Sequence, residues 1–398
     1  MDKIVNYLSK HSPEDIEKYI ATIPDTSMEA LEELKMISKL RQFIKSCEIP
    51  IPQNLLENLN LLTEEYYRMI SIKPAVAVSF DNRYGADQNV TDALFKNSDL
   101  SVRERLQNAI LGKVDVNTEI KENLYRIVES YFPTIEKSQM KQYLSSINST
   151  GACSYANVVN AIYNQFYGKE DLFKQIFGYD MYRIEDGKKL MNDQYLLTDL
   201  YTYINYDNES MFITDGITTE YIAKGDHSEQ RYMSGSKNGI YSDKLENFIN
   251  YKIKSQGLNM TAEVTGETPI VNKVREYRFK YIDKIRNIIA EGIEENNSMS
   301  IGVSVDHAEN KEYTMYLYNA NTGLYDKKFS SKNWVSSSLS KEFEQENRYG
   351  NHRMSITGIM TDGITVASWG KEFYIPFEQM HKIGMNISKI KINIKENE

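Results

Sequence analysis

Cysteine is scarce in this chain: Cys47 and Cys153 are the two among 398 residues. Two thiols in separate helical contexts make no disulfide framework, and the pattern fits a reducing compartment. Long apolar runs are also missing, since none approaches the roughly 18 uninterrupted residues that mark a membrane span. The opening "MDKIVNYLSKHSPED" lacks the apolar core of a secretory signal. The expectation is a cytoplasmic protein, or one exported without a cleaved signal peptide. Positive charge falls short of negative, with 47 Lys and Arg against 56 Asp and Glu and a formal net charge of -9. That balance argues against nucleic acid or an anionic membrane as the main partner, because both are served by basic surfaces. Prolines (8) and glycines (20) are few; beside abundant Tyr, Asn, Lys and Ile, this resembles a low-GC bacterial coding bias.

Several motifs are absent as well. There is no Walker loop and no GxGxxG at a strand-to-helix junction; "SGSKNG" at Ser234 to Gly239 is a flexible loop without that frame. His227 in "KGDHSEQ" and His307 in "VDHAENKE" lie near acids in polar loops, without an HExxH-like partner. His11 and His381 have no partner in view. Neither a metal nor a cofactor is expected.

What is present begins with helices. The length allows two or three domains, each with a real core. "SPEDIEKYI" offers Ser12 as N-cap and Pro13 in the first turn, a helix start. "TSMEALEELKMISKLRQFIK" sets Leu31, Leu34, Ile37, Leu40 and Ile44 on one face, at helical spacing. "SVRERLQNAIL" carries a Ser101–Glu104 capping box, and "TEIKENLYRIVESYF" a stripe of Ile120, Leu124, Ile127 and Tyr131, again helical. "IPIPQ" is a turn between helices and "SFDNRYGADQN" a polar loop. Residues 1–143 thus read as an all-α N-terminal module, a candidate surface for a partner or regulatory protein.

From Ser149 the pattern changes, and after about Asn297 short alternating runs predict strands: "SMSIGVSV", "KEYTMYLYN" and "EFYIPF". "HRMSITGI" and "ITVASWG" form a hairpin in which Asp362 and Gly363 supply the turn. Helices first and strands second give an α+β fold class. The Tyr-rich "DLYTYINYDNESMF" reads as half-buried strand or helix. Between the two regimes lies "STGACSYANVVNAIYNQF", where Ser149 or Thr150 caps a helix and Val159, Ile162, Tyr163 and Phe166 form its buried face. Cys153 falls in the first turn, where unpaired N–H groups and the helix dipole favour a thiolate. The same cysteine also suits a packing role. His352 opens the hairpin and shares a face with Met354 and Ile356, which suits either a core histidine or a base.

Taken together, these segments resemble the papain-like cysteine peptidases. "GACSY" is similar to that family's glycine-preceded cysteine at the start of the central helix. "NHRMSITGI" resembles its histidine strand, with a glycine six residues beyond the histidine, and "ASWGKEFYI" its closing strand. The resemblance spans about Leu144 to Phe377, anchored at its two ends. Its wording is nearest to uncharacterised bacterial members, including leader-processing peptidases and secreted effector peptidases. It implies a papain-like domain over 144–398, a central helix carrying the cysteine packed on an antiparallel sheet carrying the histidine. Cys153 would be the nucleophile and His352 the general base, with Gly151 and Trp369 as structural and cleft residues.

Two positions depart from the family pattern. Aligned on Trp369, the place of the imidazole-orienting asparagine is held by Ala367; aligned on His352, it is held by Ser368, whose hydroxyl can serve. Asp362 and Glu372 are charged alternatives, and the turn already accounts for Asp362. The family's oxyanion glutamine corresponds to Ile147, while neighbouring Asn148 is either an amide donor or a cap. The implied function is hydrolysis of a peptide or protein substrate through a Cys–His dyad and a thioester intermediate. The alternatives are a deamidase or acyltransferase on the same site, or a catalytically silent papain-like binding module.

Overall fold

Ser12 accepts a hydrogen bond from the Asp15 amide, and the Asp15 carboxylate accepts one from the Ser12 amide. This reciprocal box, with Pro13 in the first turn, starts a helix as the sequence predicts. In the computed structural model of the chain, the described residues are 2–25, 27–71, 118–134, 136–138, 140, 153–185, 188–205, 242–271, 282–304, 314–319, 322–330, 351–368 and 371–397. The Ser101–Glu104 box, the Ser149 and Thr150 caps, and His227 and His307 lie outside them.

The helices of the first half are α1 (Asp2–Leu8), α2 (Pro13–Ile20), α3 (Met28–Ser46), α4 (Gln53–Ser71) and α5 (Thr118–Tyr131). Next come α6 (Cys153–Phe166) and α7 (Glu170–Phe177), a small hairpin of β1 (Tyr182–Glu185) and β2 (Lys188–Met191), then α8 (Asp193–Asn205) and α9 (Ser242–Ser255). The remainder is β3 (Met260–Val271), α10 (Ile282–Glu294), β4 (Ser298–Ser304), β5 (Thr314–Asn319), β6 (Leu324–Ser330), β7 (Asn351–Ile359), β8 (Gly363–Ser368), β9 (Lys371–Pro376), α11 (Phe377–Ile383) and β10 (Gly384–Glu396). The Tyr-rich run is helical as far as Asn205. Strands begin earlier than Asn297: β3 alternates buried Ala262 and Val264 with exposed Thr261 and Glu263. It is an edge strand, which explains how it tolerates Pro269.

Eight strands form one antiparallel sheet in the order β3-β10-β4-β7-β8-β9-β5-β6. The coarse class is α+β. Each face of the sheet closes a separate apolar cluster. On one face Val264, Ile390 and Ile392 meet Val158, Ile162 and Phe166 of α6, along with residues of α5, α7, α8 and α9. On the other face Ile301, Met354, Ile356, Val366 and Phe373 meet Leu34, Ile37, Leu59 and Leu62 of α3 and α4, and Ile285 and Ile289 of α10. Lys35 of α3 pairs with Glu294 of α10 at 2.7 Å, and Tyr66 of α4 donates to the same carboxylate. The N-terminal helices therefore share a core with the sheet.

The β7–β8 hairpin forms where the sequence predicts it, but its glycine serves a different end. Gly363 is the first residue of β8 and does not take a positive φ. A Cβ there would overlap the Tyr374 ring and the Ile375 carbonyl oxygen. Close strand-to-strand approach, and not turn conformation, requires the glycine.

Candidate functional site

The helix that Cys153 opens is amphipathic in an unusual sense, because one of its buried stripes is polar. Asn157, Asn160, Asn164 and Gln165 recur at helical spacing beside the apolar stripe and meet the sheet through side-chain hydrogen bonds. Gln165 donates to the Asn296 carbonyl at 2.6 Å and accepts from the Ile392 amide of β10. Asn164 donates to Ser298 Oγ at the start of β4, at 3.1 Å. Asn160 donates to Ser355 Oγ of β7 at 2.8 Å, and Ser355 Oγ donates to Asn157 Oδ1 at 2.8 Å. All three members of this last group are buried, so the bonds replace water that would otherwise be needed. Sequence reasoning missed this stripe; amides at positions i, i+3 and i+7 of a buried helix were the available signal.

These contacts fix the direction of α6 on the sheet. Its C-terminal half lies over β10 and its N-terminal half over β7. Along the strands it advances from the level of Ser298 to that of Ser300, which pairs with Ser355. The next residues in that direction lead to Val303, the register partner of His352. Cys153 is one helical turn beyond Asn157, about 6 Å of rise. His352 is three residues before Ser355, about 10 Å of strand. The start of the helix and the start of the strand thus converge on one end of the sheet.

The register also fixes the phase of each position. Ser355 pairs with Ala367, and Ala367 with Glu372, so these three share the face that carries α6. Met354 and Ile356, in phase with His352, are buried on the opposite face, with α4 and α10. Continuing the β7–β8 pairing by one residue sets Met354 opposite Ser368, so Ser368, unlike Ala367, is in phase with His352. Ser368 is buried. The side chains of Cys153 and His352, and the residues Ile147, Asn148, Gly151 and Trp369, lie outside the described set.

Two charged groups of the region are accounted for. Arg353, next to His352 and in phase with Ser355, donates to Ser300 Oγ at 3.0 Å and Ser388 Oγ at 3.3 Å. It is a fixed cation on the α6 face. Glu372 accepts the Tyr325 hydroxyl at 2.7 Å, and its carboxyl is raised above the usual range by burial, against the pull of the Tyr325, Thr365 and Thr357 hydroxyls. Of the two charged alternatives for orienting the imidazole, Glu372 is thus engaged by these hydroxyls. Among the described residues no group of three or more His, Cys, Asp or Glu is placed to hold a metal ion. No described helix is long and apolar enough to cross a membrane. No protein-family model matches the chain, and no curated protein matches it.

Proposed function

We propose that the chain is a cysteine peptidase with a papain-like arrangement, hydrolysing a peptide or protein substrate. The observation that carries this is the convergence of the α6 start, where Cys153 stands, with the β7 start, where His352 stands. A thiolate at a helix N-terminus is stabilised by unpaired amides and the dipole, and Arg353 adds a positive charge on the same face. The thiolate attacks the scissile carbonyl while helix-start amides take the developing oxyanion. The imidazole passes a proton to the leaving amine, and water then resolves the thioester. Ser368 is the candidate for orienting the imidazole, being in phase with it on the adjacent strand.

A second reading, a silent binding module, is favoured by one fact: the residues in phase with His352 are buried on the face away from α6. One measurement separates the two. Cys47 is an exposed cysteine outside any disulfide and serves as an internal reference for a thiol-directed electrophile at neutral pH. Peptidase chemistry predicts that Cys153 reacts at least 10-fold faster than Cys47. His352→Ala should bring Cys153 down to the Cys47 rate without altering Cys47. Equal rates in the unmodified chain, or no response to His352→Ala, would establish the silent module. For a reactive Cys153, a new N-terminus in the substrate marks hydrolysis, whereas a one-dalton gain or an amine adduct marks the deamidase or acyltransferase alternative.

A further inference from the structure

Beneath α6 the sheet presents a floor with little relief. Ser388 of β10, Ser300 of β4, Ser355 of β7 and Ala367 of β8 stand in one cross-strand row, and all four are buried. None is larger than a hydroxymethyl group, so the row offers no ridge against which a helix locks. Apolar burial is non-directional, and along this row hydrogen bonds supply the register that shape does not. Asn157 and Asn160, three positions apart on α6, both engage the one hydroxyl of Ser355, at 2.8 Å each. Two attachments from one helix face to a single point on the strand set the rotation of the helix as well as its height.

Position 153 continues the same stripe. Cys153, Asn157, Asn160 and Asn164 follow one another at steps of four, three and four, the spacing of one helix face. On the strand, Ser355 stands three residues after His352. One hydroxyl thus ties the helix that carries the proposed nucleophile to the strand that carries the proposed base. Stability alone does not explain the arrangement. Asn160 Oδ1 is buried and has no hydrogen-bond partner among the described residues, a cost that an apolar side chain of similar shape avoids. A buried polar atom left in that condition calls for a role other than holding the fold together.

We propose that Asn160 and Ser355 are positioning residues: through the Asn157–Ser355–Asn160 bridge they keep Cys153 and His352 in register, so that the pairing of thiolate and imidazole depends on a hydroxyl remote from both. The proposal rests on the peptidase reading of Cys153 and His352. Loss of either positioning side chain frees the start of α6 to turn relative to β7, and the reacting pair spends less of its time aligned. A misplacement of about 1 Å at such a site costs on the order of 100-fold in rate.

The test is a cycle of four full-length chains: unmodified, Asn160→Leu, His352→Ala and the double variant. Each is read by the rate at which a thiol-directed electrophile labels Cys153 relative to Cys47 of the same molecule, and by its urea midpoint. With His352 present, Asn160→Leu is expected to slow Cys153 at least about 10-fold, while the urea midpoint stays level or rises. In the His352→Ala background the same substitution should change the Cys153 rate less than about twofold, because no imidazole remains to be positioned. A merely structural stripe predicts the reverse, a lower midpoint with Cys153 reactivity unchanged. That result overturns the proposal, as does an equal loss of rate in both backgrounds. If Asn160→Leu does not fold, Ser355→Ala takes its place under the same rate criteria. A Cys153 that is fast and His352-dependent yet indifferent to these substitutions removes the positioning role and leaves the peptidase. A Cys153 no faster than Cys47 in the unmodified chain removes both.

Discussion

Ser355 shows how much a single hydroxyl can organise. It accepts from Asn160 and donates to Asn157, fixing α6 over β7 with every participant buried. Ser355→Ala would leave a buried amide donor and a buried carbonyl acceptor without partners, each worth about 1–3 kcal/mol. The expected outcome is a loss of at least about 2 kcal/mol, read as a lower urea midpoint at unchanged slope. The residue is also a measure of what sequence discloses. The apolar stripe of Val159, Ile162, Tyr163 and Phe166 is legible from spacing alone, and all four are buried. The asparagine stripe beside it is not, because its meaning depends on a serine some 195 residues away in the chain. The same holds for the choice between Ala367 and Ser368. Alignment left both open, and only strand pairing says which is in phase with His352.

At the scale of the element, the β7–β8 hairpin was the most legible part of the chain and still carried a misattributed residue. Its two runs alternate as strands do, but β8 is buried along its whole length, covered on both faces. Alternation usually signals one wet face; here Thr365 and Ala367 are small and polar or small and apolar because other protein lies over them. Gly363 is written as a turn residue and acts as a spacer. Gly363→Ala should therefore destabilise by about 1–3 kcal/mol through overpacking against Tyr374 and the β9 backbone. A turn-conformation role would predict rescue by asparagine, which accepts positive φ. Thermal unfolding of the Ala and Asn variants separates the two, since overpacking makes asparagine no better than alanine. Strand β10, which alternates isoleucine with lysine and asparagine, and edge strand β3 were not singled out in sequence, although the period of two is present in both.

For the whole molecule, the decisive fact is that one sheet serves two cores. The N-terminal helices α3 and α4 do not stand apart from it; they cover Ile301, Met354, Ile356 and Phe373. A chain beginning after residue 71 would expose that face as a contiguous apolar patch of the kind that drives association. Such a truncation is expected to be aggregated or to bind a hydrophobic dye strongly, with near-ultraviolet circular dichroism lost; a soluble, cooperatively melting fragment would contradict this. Sequence could show helices such as α2 and α3, because capping and periodicity are local. It could not show which surface those helices cover, because that is set by side chains on strands more than 200 residues later. The position of β10 adds a consequence of another kind. It lies between β3 and β4 in the sheet, yet it leaves the ribosome after the seven other strands of that sheet. Until it arrives, β3 and β4 have no edge in common, so the wall that separates the two cores closes only once synthesis has passed residue 396. The nascent chain must hold two half-built hydrophobic faces apart until then, which makes a late, non-local pairing the step that completes this sheet.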